Sequence, residues 1–449
     1  MKKDVVILGG GPAGIITATT AKKNYPDKTV TIVRKEETGL VPCGIPYIFG
    51  TLDSVDQNVM GIDGPKKMGI EFIFDEIEQI DFDSKKLVGK NNNKIYYEKL
   101  IIATGSAPTF PPIEGTELDG IFTIKKDKSY LEKVYEQAKT VERVTVIGGG
   151  FIGVEVSDEL RKMGKKVTLI EAMGHLLPAA YDEDFGDLAQ ETLESHGVTV
   201  KINSLVKEIS GNSKVEKIVT KDGEEIATDM VLLATGYKPN VELFKNTDLH
   251  IGHSGGIWVD EYMRTNIDDV FAVGDCVEHK DFFTRRPSNL MLASTAVFDA
   301  RIAGTNLYHL VVVRENHGNL GVFSTSIENL TLGAAGMTCK KTDKEGFKYV
   351  IGQAETVDRH PGTLPDKSKM KVKLLFSEES GILLGAQIAG GKSVGEIINM
   401  IGLGLQMGIT ANDLVTMQIG THPLLTSAPT KYPLITAAES ALMKLRNYA

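Results

Sequence analysis

One short pattern occurs twice in this chain, and it limits the folds that the chain can adopt. The runs Val5-Val-Ile-Leu-Gly-Gly-Gly-Pro-Ala-Gly14 and Val144-Thr-Val-Ile-Gly-Gly-Gly-Phe-Ile-Gly153 each place apolar, β-branched residues before G-x-G-x-x-G. A strand that passes through such a turn into a helix and then a second strand is the βαβ unit of a parallel sheet. We therefore expect an α/β fold with two Rossmann-like dinucleotide-binding units.

The repeat continues beyond the glycine turns. Thr29–Val33 corresponds to Lys166–Ile170 as a second strand, and Ile101-Ile-Ala-Thr-Gly105 corresponds to Leu232-Leu-Ala-Thr-Gly236 as a later one. Helices over Ile15–Lys23 and Val154–Met163 are predicted between the first two strands of each copy, because good helix formers fill both stretches.

A further apolar run, Asp269-Val-Phe-Ala-Val-Gly-Asp275, has no glycine fingerprint of its own and is expected to complete the first domain. From about Val322 the pattern changes to alternating strands followed by helices, which is typical of a separate α+β domain. We predict three domains: the first dinucleotide-binding domain at 1–115 and 240–321, the second one inserted at 116–239, and a C-terminal domain at 322–449.

The glycines have separate roles in such a turn. The first permits the tight turn, the second lets a pyrophosphate approach the backbone, and the third lets the helix pack close to the strand. The free N–H groups at the helix N-terminus then face the pyrophosphate. These roles fall on Gly9, Gly11 and Gly14 in the first copy and on Gly148, Gly150 and Gly153 in the second.

The residue that ends the second strand differs between the copies. Glu171 can accept a hydrogen bond from an adenosine 2′-hydroxyl and repel a 2′-phosphate, which favours NADH over NADPH. The first copy has Arg34 at the corresponding position. Arg34 is interpreted either as a surface charge that ends a strand or as a contact to the adenine or its phosphates.

Composition excludes several classes of partner. The 449 residues carry 50 Lys and Arg against 59 Asp and Glu, a net charge of -9, so nucleic acid is not an expected partner. No apolar run reaches the roughly 20 residues that a membrane span needs, and the N-terminus lacks a signal-peptide pattern. The three cysteines are too far apart in sequence for a disulfide framework or a zinc site, so we expect a cytoplasmic protein without a metal.

Taken together, these motifs resemble the pyridine nucleotide-disulfide oxidoreductases over essentially the whole chain. The resemblance implies a homodimer in which the first domain holds FAD, the inserted domain holds NADH or NADPH, and the C-terminal domain forms the dimer contact. The residues it implies for FAD are Gly9, Gly11, Pro12, Ala13, Gly14, Arg34, Ala103, Thr104, Gly105, Gly274 and Asp275. Those it implies for the nicotinamide dinucleotide are Gly148, Gly150, Gly153, Glu171 and Gly236.

The stretch Pro42-Cys-Gly-Ile-Pro-Tyr47 resembles the single-cysteine branch of that family: coenzyme A-disulfide reductases, NADH oxidases, NADH peroxidases and persulfide reductases. No second cysteine lies nearby, so Cys43 is predicted to work with an external sulfur, or as a sulfenic acid formed by peroxide. The alternative is that Cys43 is a small buried hydrophobic residue in a turn. Cys276 and Cys339 are interpreted as inert buried thiols.

Several positions depart from the known branches. Peroxidases and many oxidases of this branch have a histidine where this chain has Pro12, which argues against a peroxidase. Coenzyme A reductases often have serine and asparagine where this chain has Gly39 and Pro42, so coenzyme A remains one possible acceptor among others. Two lysines, Lys23 and Lys431, match or lie near basic positions used on coenzyme A phosphates, or are simply solvated.

His422 lies in Thr421-His-Pro, the position of the family's dimer-contact segment, and is predicted either to donate a proton to a leaving thiolate of the other subunit or to have a packing role. The sequence thus predicts an FAD enzyme that uses NAD(P)H to reduce a disulfide, persulfide or polysulfide through Cys43. The first alternative is an NADH oxidase that reduces O2. A redox-responsive binding protein with little turnover is an alternative from another class.

Overall fold

The structure, a computed structural model, describes residues 1–311 and 316–448 of the chain. These residues fall into two units. The first consists of Met1–Pro112, Phe122–Thr140 and Thr235–Asn319, and the second of Ile113–Ile121, Val141–Ala234 and the residues from Leu320 onward.

The strands are mostly three to nine residues long. Numbered in chain order they are β1 (Lys2–Leu8), β2 (Val30–Arg34), β3 (Gly39–Leu40), β4 (Val59–Met60), β5 (Glu71–Phe74), β6 (Ile77–Asp81), β7 (Lys86–Gly89), β8 (Lys94–Ile102), β9 (Ser106–Pro108), β10 (Ile121–Thr123), β11 (Arg143–Ile147), β12 (Lys166–Ile170), β13 (Thr199–Lys201), β14 (Val206–Gly211), β15 (Val215–Thr220), β16 (Glu225–Ala227), β17 (Met230–Leu233), β18 (Tyr237–Pro239), β19 (Val270–Ala272), β20 (His279–Lys280), β21 (Pro287–Ser288), β22 (Val322–Ile327), β23 (Leu330–Gly336), β24 (Tyr349–Val357), β25 (Lys369–Ser377) and β26 (Leu383–Gly390).

The α-helices are α1 (Pro12–Asn24), α2 (Asp63–Lys67), α3 (Lys128–Thr140), α4 (Phe151–Lys162), α5 (Glu183–Ser195), α6 (Ala293–Thr305), α7 (Cys339–Glu345), α8 (Val394–Met407), α9 (Ala411–Val415) and α10 (Pro433–Tyr448). Short 3-10 turns occupy Pro42–Gly44, Pro46–Phe49, Asp56–Asn58, Glu242–Phe244, Gly274–Cys276 and Pro429–Lys431. Within the described ranges, no helix is both long and apolar enough to span a bilayer.

The first unit is built on a seven-stranded sheet with the order β5-β2-β1-β8-β7-β6, and β19 also pairs with β8. Strands β5, β2, β1, β8 and β19 are parallel, and β6 and β7 are antiparallel to their neighbours. Because parallel strands end at the same edge, the segments that follow β1, β8 and β19 meet there. The pairing of β19 with β8 places the Gly-Asp run in the first sheet, as the sequence predicts.

Helices cover this sheet closely. The central strand β1 has Val5, Val6 and Ile7 fully buried, as expected for a parallel sheet with both faces covered. Small side chains let α1 and α6 approach each other, and a Cβ on Gly304 would lie only 2.9 Å from the Thr17 carbonyl oxygen. The small residues of α1 are therefore packing positions.

The second unit contains a five-stranded sheet, β10-β17-β11-β12-β13, in which β11 pairs in parallel with β12 and β17. A three-stranded antiparallel sheet, β14-β15-β16, packs against it through an apolar cluster that includes Ile147, Ile170, Val206 and Ile218. The sequence pattern predicts β11, β12 and β17 but not this antiparallel sheet.

The rest of the second unit is an antiparallel sheet, β22-β23-β26-β25-β24, with helices packed on it. Gly333 leaves room for α8, since a Cβ there would lie 2.9 Å from Val394 Cγ1. Gly352 does the same for α10, since a Cβ there would come closer than 3.0 Å to the Ala437 carbonyl oxygen. This is the predicted α+β arrangement, so the predicted fold class is confirmed.

The predicted helices are correct in type but begin too late. The helix predicted at Ile15–Lys23 spans Pro12–Asn24, and the one predicted at Val154–Met163 spans Phe151–Lys162. In both copies the glycine turn ends directly at the helix. Proline at the first helical position costs no hydrogen bond, because that N–H has no partner within the helix.

Candidate functional site

The first glycine turn connects β1 to α1 with very little space. Gly9 has φ +120°, and a Cβ on it would lie less than 3.0 Å from the Ala103 carbonyl oxygen. A Cβ on Gly14 would come equally close to the Gly9 carbonyl oxygen, whereas one on Gly11 would meet nothing within 4 Å. Gly11 is the N-cap of α1 and gives the helix no side-chain cap. The helix N-terminus is thus open at the one glycine that a pyrophosphate would approach, so the turn fits the predicted cofactor.

Two further predicted segments lie at the same sheet edge. After β8, Thr104 Oγ1 donates a hydrogen bond to the Asn240 carbonyl oxygen (2.7 Å), and Asn240 N donates to the Gly105 carbonyl oxygen (2.9 Å). After β19, Gly274 has φ +77°, and a Cβ on it would lie 3.0 Å from Ala13 Cβ in the first turn of α1. The structure therefore brings the first glycine turn, Ala103–Gly105 and the Gly-Asp segment together.

Asp275 has two side-chain partners in the first unit. Its Oδ2 accepts hydrogen bonds from Ser106 Oγ (2.7 Å) and from Lys126 Nζ (3.0 Å). These contacts fix the direction of the carboxylate, and the lysine compensates its charge. The arrangement suits a carboxylate that must accept hydrogen bonds from a hydroxyl group of a bound cofactor.

Arg34 is buried, so its interpretation as a surface charge is wrong. Only 5% of its surface is exposed, and its guanidinium lies 5.5 Å from the Phe72 ring centre and 5.6 Å from that of Phe74. Burial lowers the pKa of Arg34, and the nearby charge of Glu36 opposes this effect. The Nη2 group donates to the Glu37 carbonyl oxygen, while Nε has no hydrogen-bond partner in the part of the chain that is described.

The side chain of Arg34 also accounts for two glycines. A Cβ on Gly10 would come closer than 3.0 Å to Arg34 Cδ, and one on Gly39 would lie 2.9 Å from Arg34 Nη1. The Arg34 side chain thus packs against the first glycine turn at Gly10. Which ligand group it contacts, if any, stays a prediction.

Cys43 lies on the 3-10 turn Pro42–Gly44 and is exposed. Exposure argues against the alternative that it is a buried hydrophobic residue. Buried Asn58 holds this loop, because its Nδ2 donates to the Val41 carbonyl oxygen (3.0 Å) and its own backbone carbonyl accepts from Val41 N (3.0 Å). A Cβ on Gly44 would come closer than 3.0 Å to Asn58 Oδ1, so glycine is required there.

The residues after the cysteine anchor the loop on the other side. Pro46, Ile48 and Phe49 are buried, and Phe49 lies 6.5 Å from the ring of Tyr135 on α3. The Tyr135 hydroxyl in turn donates to the Asp53 carbonyl oxygen (2.7 Å). The residues on both sides of Cys43 are therefore held by packing and hydrogen bonds, while Cys43 itself is exposed.

The second glycine turn repeats the first. A Cβ on Gly153 would come closer than 3.0 Å to the Gly148 carbonyl oxygen, and one on Gly150 would meet nothing within 4 Å. Buried Glu171 accepts from Gly149 N through Oε2 (2.6 Å) and from Met173 N through Oε1 (2.7 Å). Gly236, predicted for the same site, lies instead in the first unit, where its carbonyl accepts from Thr109 N (2.9 Å).

His422 lies in the second unit and is exposed. Its backbone N donates to Thr426 Oγ1 (3.0 Å), and its Nδ1 accepts from Leu424 N (3.3 Å). The lysines Lys23 and Lys431 are both exposed.

The remaining cysteines have raised thiol pKa values. Burial raises the pKa of Cys276, which is completely buried, as predicted. Cys339 is only half-buried; burial and then Asp182 raise its pKa to about 12. Both thiols are protonated at neutral pH and are poor nucleophiles.

Sequence analysis missed a half-buried carboxyl group beside the second turn. Glu155 is in α4, two residues after Gly153, and accepts a hydrogen bond from Thr325 Oγ1 (2.8 Å). Burial raises the pKa of Glu155 to about 7. A carboxyl group with such a pKa next to a dinucleotide-binding turn is a candidate functional residue. The signal available in the sequence was an acid in the apolar run Phe151-Ile-Gly-Val-Glu-Val156.

Two glycine turns of this geometry, each at the carboxyl edge of a parallel sheet, define a protein that binds two dinucleotides. Residues 3–300 match the family model described as pyridine nucleotide-disulphide oxidoreductase, and residues 322–432 match its dimerisation domain. The chain belongs to the pyridine nucleotide-disulphide oxidoreductase family. Membership confirms the predicted enzyme class and its cofactors, FAD and a nicotinamide dinucleotide.

Individual relatives have names of two kinds. An NADH oxidase of Methanocaldococcus jannaschii is 34% identical over 98% of this chain and 99% of its own. An NAD(P)H coenzyme A polysulfide/persulfide reductase of Pyrococcus horikoshii is 32% identical over 98% of both chains. Among solved structures, an NAD-dependent persulfide reductase from A. fulgidus is similar with a TM-score of 0.92 and 30% identity, over 100% of this chain and 84% of that one.

Substitutions of two glycines in the first turn are expected to have different effects. Gly14→Ala forces a Cβ against backbone and should lower the melting temperature of the protein by several degrees. Gly11→Ala meets no protein atom within 4 Å, so it should leave the stability of the apoprotein nearly unchanged while weakening FAD binding at least about tenfold. Melting curves and FAD titrations of both apoproteins test this. Wild-type FAD affinity in Gly11→Ala would contradict the assignment.

Glu155 should make the protein less stable as the pH rises. Between pH 4.5 and about 7 the unfolded chain loses the proton of Glu155 while the folded protein keeps it, so stability falls over this range and the loss is complete above it. Glu155→Gln keeps an acceptor for Thr325 and should raise stability at pH 8 by about 3 kcal/mol, and by much less at pH 5. Glu142→Gln, an exposed change in the same unit, is the control. A gain that is equal at both pH values would show that ionisation of a buried Glu155 is not its cause.

Proposed function

We propose that this chain is an FAD enzyme that uses NADH, and less readily NADPH, to reduce the sulfur of a disulfide, persulfide or polysulfide through Cys43. The observation that carries the proposal is the exposed thiol of Cys43 on a rigid turn, in a chain with two dinucleotide-binding turns. The names of the P. horikoshii and A. fulgidus relatives support a sulfur acceptor.

The cofactors are assigned to the two turns. FAD would be held by the first glycine turn, Ala103–Gly105, Arg34 and the Gly274–Asp275 segment, and the nicotinamide dinucleotide by the second turn with Glu171. Bound FAD would supply the two-electron relay between the dinucleotide and sulfur. The two hydrogen bonds that Glu171 accepts from backbone N–H groups fix its carboxylate beside the second turn, where an acid can accept from a ribose hydroxyl, which supports the preference for NADH.

Cys43 would act as the nucleophile. Its thiolate attacks one sulfur of the acceptor, an S–S bond forms between them, and the acceptor's own S–S bond breaks to release a thiolate. Two electrons from the dinucleotide then break the new bond, which regenerates the Cys43 thiolate and releases the bound sulfur as a second thiolate, or as hydrosulfide when the acceptor is a persulfide. An exposed position suits a residue that must meet a diffusible sulfur compound.

The partner subunit's His422 would protonate the thiolate that leaves. Histidine is the side chain most often used for proton transfer near neutral pH. The match of 322–432 to a dimerisation domain supports a homodimer, and the segment that carries this histidine is exposed.

Three further parts of the assignment are proposals. The domain boundaries are 1–115 with 240–321, 116–239, and 322–449, and the start of the dimerisation match at residue 322 supports the last of them. A cytoplasmic location is supported by the wide spacing of the three cysteines. Coenzyme A remains one possible form of the sulfur acceptor.

An NADH oxidase is the second candidate, and the name of the M. jannaschii relative favours it. In that reaction two electrons from the dinucleotide would reduce O2 to peroxide, and peroxide would oxidise Cys43 to a sulfenic acid with release of water. Two further electrons would then return the sulfenic acid to the thiolate and release a second water. A redox-responsive binding protein would need no exposed thiol at this position, which makes it the weaker alternative.

Cys43→Ser should separate these candidates. We expect it to keep FAD and to pass electrons from NADH to an artificial dye, but to lose reduction of polysulfide and of coenzyme A disulfide at least about a hundredfold. Cys339→Ser, whose thiol pKa is raised, is the matched control and should retain both activities. Sulfide release and O2 consumption are measured in parallel.

Each outcome is informative. Full polysulfide reduction by Cys43→Ser would overturn the proposal. Loss of sulfur reduction with O2 consumption unchanged would support sulfur as the acceptor of Cys43. A wild-type enzyme that consumes O2 much faster than it releases sulfide would favour the oxidase.

Mixed dimers test the role of His422. His422→Gln should lower the rate of sulfur reduction about a hundredfold, while His253→Gln, another exposed histidine, should not. If His422 acts across the dimer, subunits carrying Cys43→Ser and subunits carrying His422→Gln should complement each other. After random exchange about a quarter of wild-type activity should return. No recovery would contradict action in trans.

A further inference from the structure

A histidine and an aspartate form a buried ion pair behind the Gly-Asp segment. His279 on β20 and Asp299 on α6 are 5% and 0% exposed, and His279 Nε2 lies 2.7 Å from Asp299 Oδ2. The sequence analysis gave neither residue a role. Buried charges are expensive even when they are paired, and apolar side chains of similar size would fill such a space at lower cost. The pair therefore calls for an explanation other than packing.

Asp299 also holds the backbone of the Gly-Asp segment. Its Oδ2 accepts from Gly274 N (3.2 Å), and its Oδ1 accepts from Asn316 Nδ2 (3.0 Å). Both carboxylate oxygens are thus used. One of them is shared between His279 and the residue that immediately precedes Asp275.

The charge of the pair follows from its surroundings. Burial lowers the pKa of His279, but the charge of Asp299 and the hydrogen bond to it raise that pKa by more, and Asp275 adds to this. Among the described residues, the charged groups that act on the pKa of His279 are these two aspartates. The contact with Asp299 thus favours the protonated form of His279, whose other ring nitrogen, Nδ1, has no hydrogen-bond partner in the described part of the chain.

Asp275 is fixed from two directions. Ser106 and Lys126 hold its carboxylate, and Asp299 holds the N–H of the residue before it. Gly274 has φ +77°, which a residue with a side chain rarely adopts, and in this conformation its N–H donates to Asp299 Oδ2.

We propose that the Asp299–His279 pair is a positioning device for the Gly274–Asp275 segment and thereby controls how tightly FAD is held. The inference rests on the proposed function, in which this segment binds FAD. Removing the charge of Asp299 leaves the Asp275 side-chain contacts in place but loosens the peptide that carries them. The effect is on flavin retention, not on the chemistry of Cys43.

The test uses the holoenzyme. We expect Asp299→Asn to release FAD about tenfold faster than the wild type, measured by the rise in flavin fluorescence after dilution, and to change the visible circular dichroism of the bound flavin. His279→Gln keeps a donor to Asp299 and should have a smaller effect in the same direction. The matched control is Asp269→Asn, because Asp269 is ion-paired with Lys85 and Lys99 at the opposite end of β19.

Four results would support or overturn the positioning role of the Asp299–His279 pair. If Asp269→Asn lowers the melting temperature as much as Asp299→Asn does but leaves FAD release unchanged, the positioning role is supported. If Asp299→Asn and His279→Gln both release FAD at the wild-type rate, the inference is overturned. If Asp275→Ala weakens FAD binding while Asp299→Asn does not, only this inference fails. If Asp275→Ala also binds FAD normally, the proposed flavin site itself is wrong.

Discussion

The first unit depends on a close approach between α1 and the strand before it. A Cβ on Gly14 would come closer than 3.0 Å to the Gly9 carbonyl oxygen, so no side chain fits between the helix and the turn. This approach directs the N-terminus of α1 towards the edge where β8 and β19 also end. A helix pushed outwards by one methyl group would no longer meet Gly274, whose Cβ position lies 3.0 Å from that of Ala13. Parallel pairing brings the three segments to one edge, and the absence of a side chain at Gly14 lets α1 approach them there; Gly153 permits the same close approach in the second copy.

Arg34 gives a physical reason for one of the departures from the coenzyme A branch. Its side chain lies across the first glycine turn, against Phe72 and Phe74, and comes within 3.0 Å of where a Cβ on Gly39 would be. A serine at position 39 would require the buried guanidinium to move. Gly39 is thus coupled to the packing of the nucleotide-binding turn, and it carries less information about the sulfur acceptor than the sequence alone suggested.

A structural feature could be predicted from the sequence when the residues that determine it lie close together in the chain. The sequence predicted the features that depend on neighbouring residues: the two βαβ units, the strand β19 and the C-terminal α+β domain. The period of the apolar residues, the spacing of the glycines and the ends of the strands are all visible in a short stretch of sequence. The burial of Arg34 was not predicted, because it depends on Phe72 and Phe74, which lie on another strand. The Asp299–His279 pair was not predicted either. Its residues lie on different elements, and the sequence around one of them does not reveal that the other is buried against it. The position of Gly236 in the first unit also depends on a distant partner, Thr109.

Two buried carboxylates share a role near the dinucleotide-binding segments. Glu171 accepts from the N–H of Gly149 inside the second turn, and Asp299 accepts from that of Gly274 beside the first. A negative charge near a site for a pyrophosphate weakens binding of that anion unless the charge is compensated. Each carboxylate also has a second partner: the Met173 backbone N–H donates to Glu171, and His279 Nε2 lies 2.7 Å from Asp299 Oδ2. The two carboxylates therefore orient these N–H groups before a cofactor binds. Binding then does not have to order the loop.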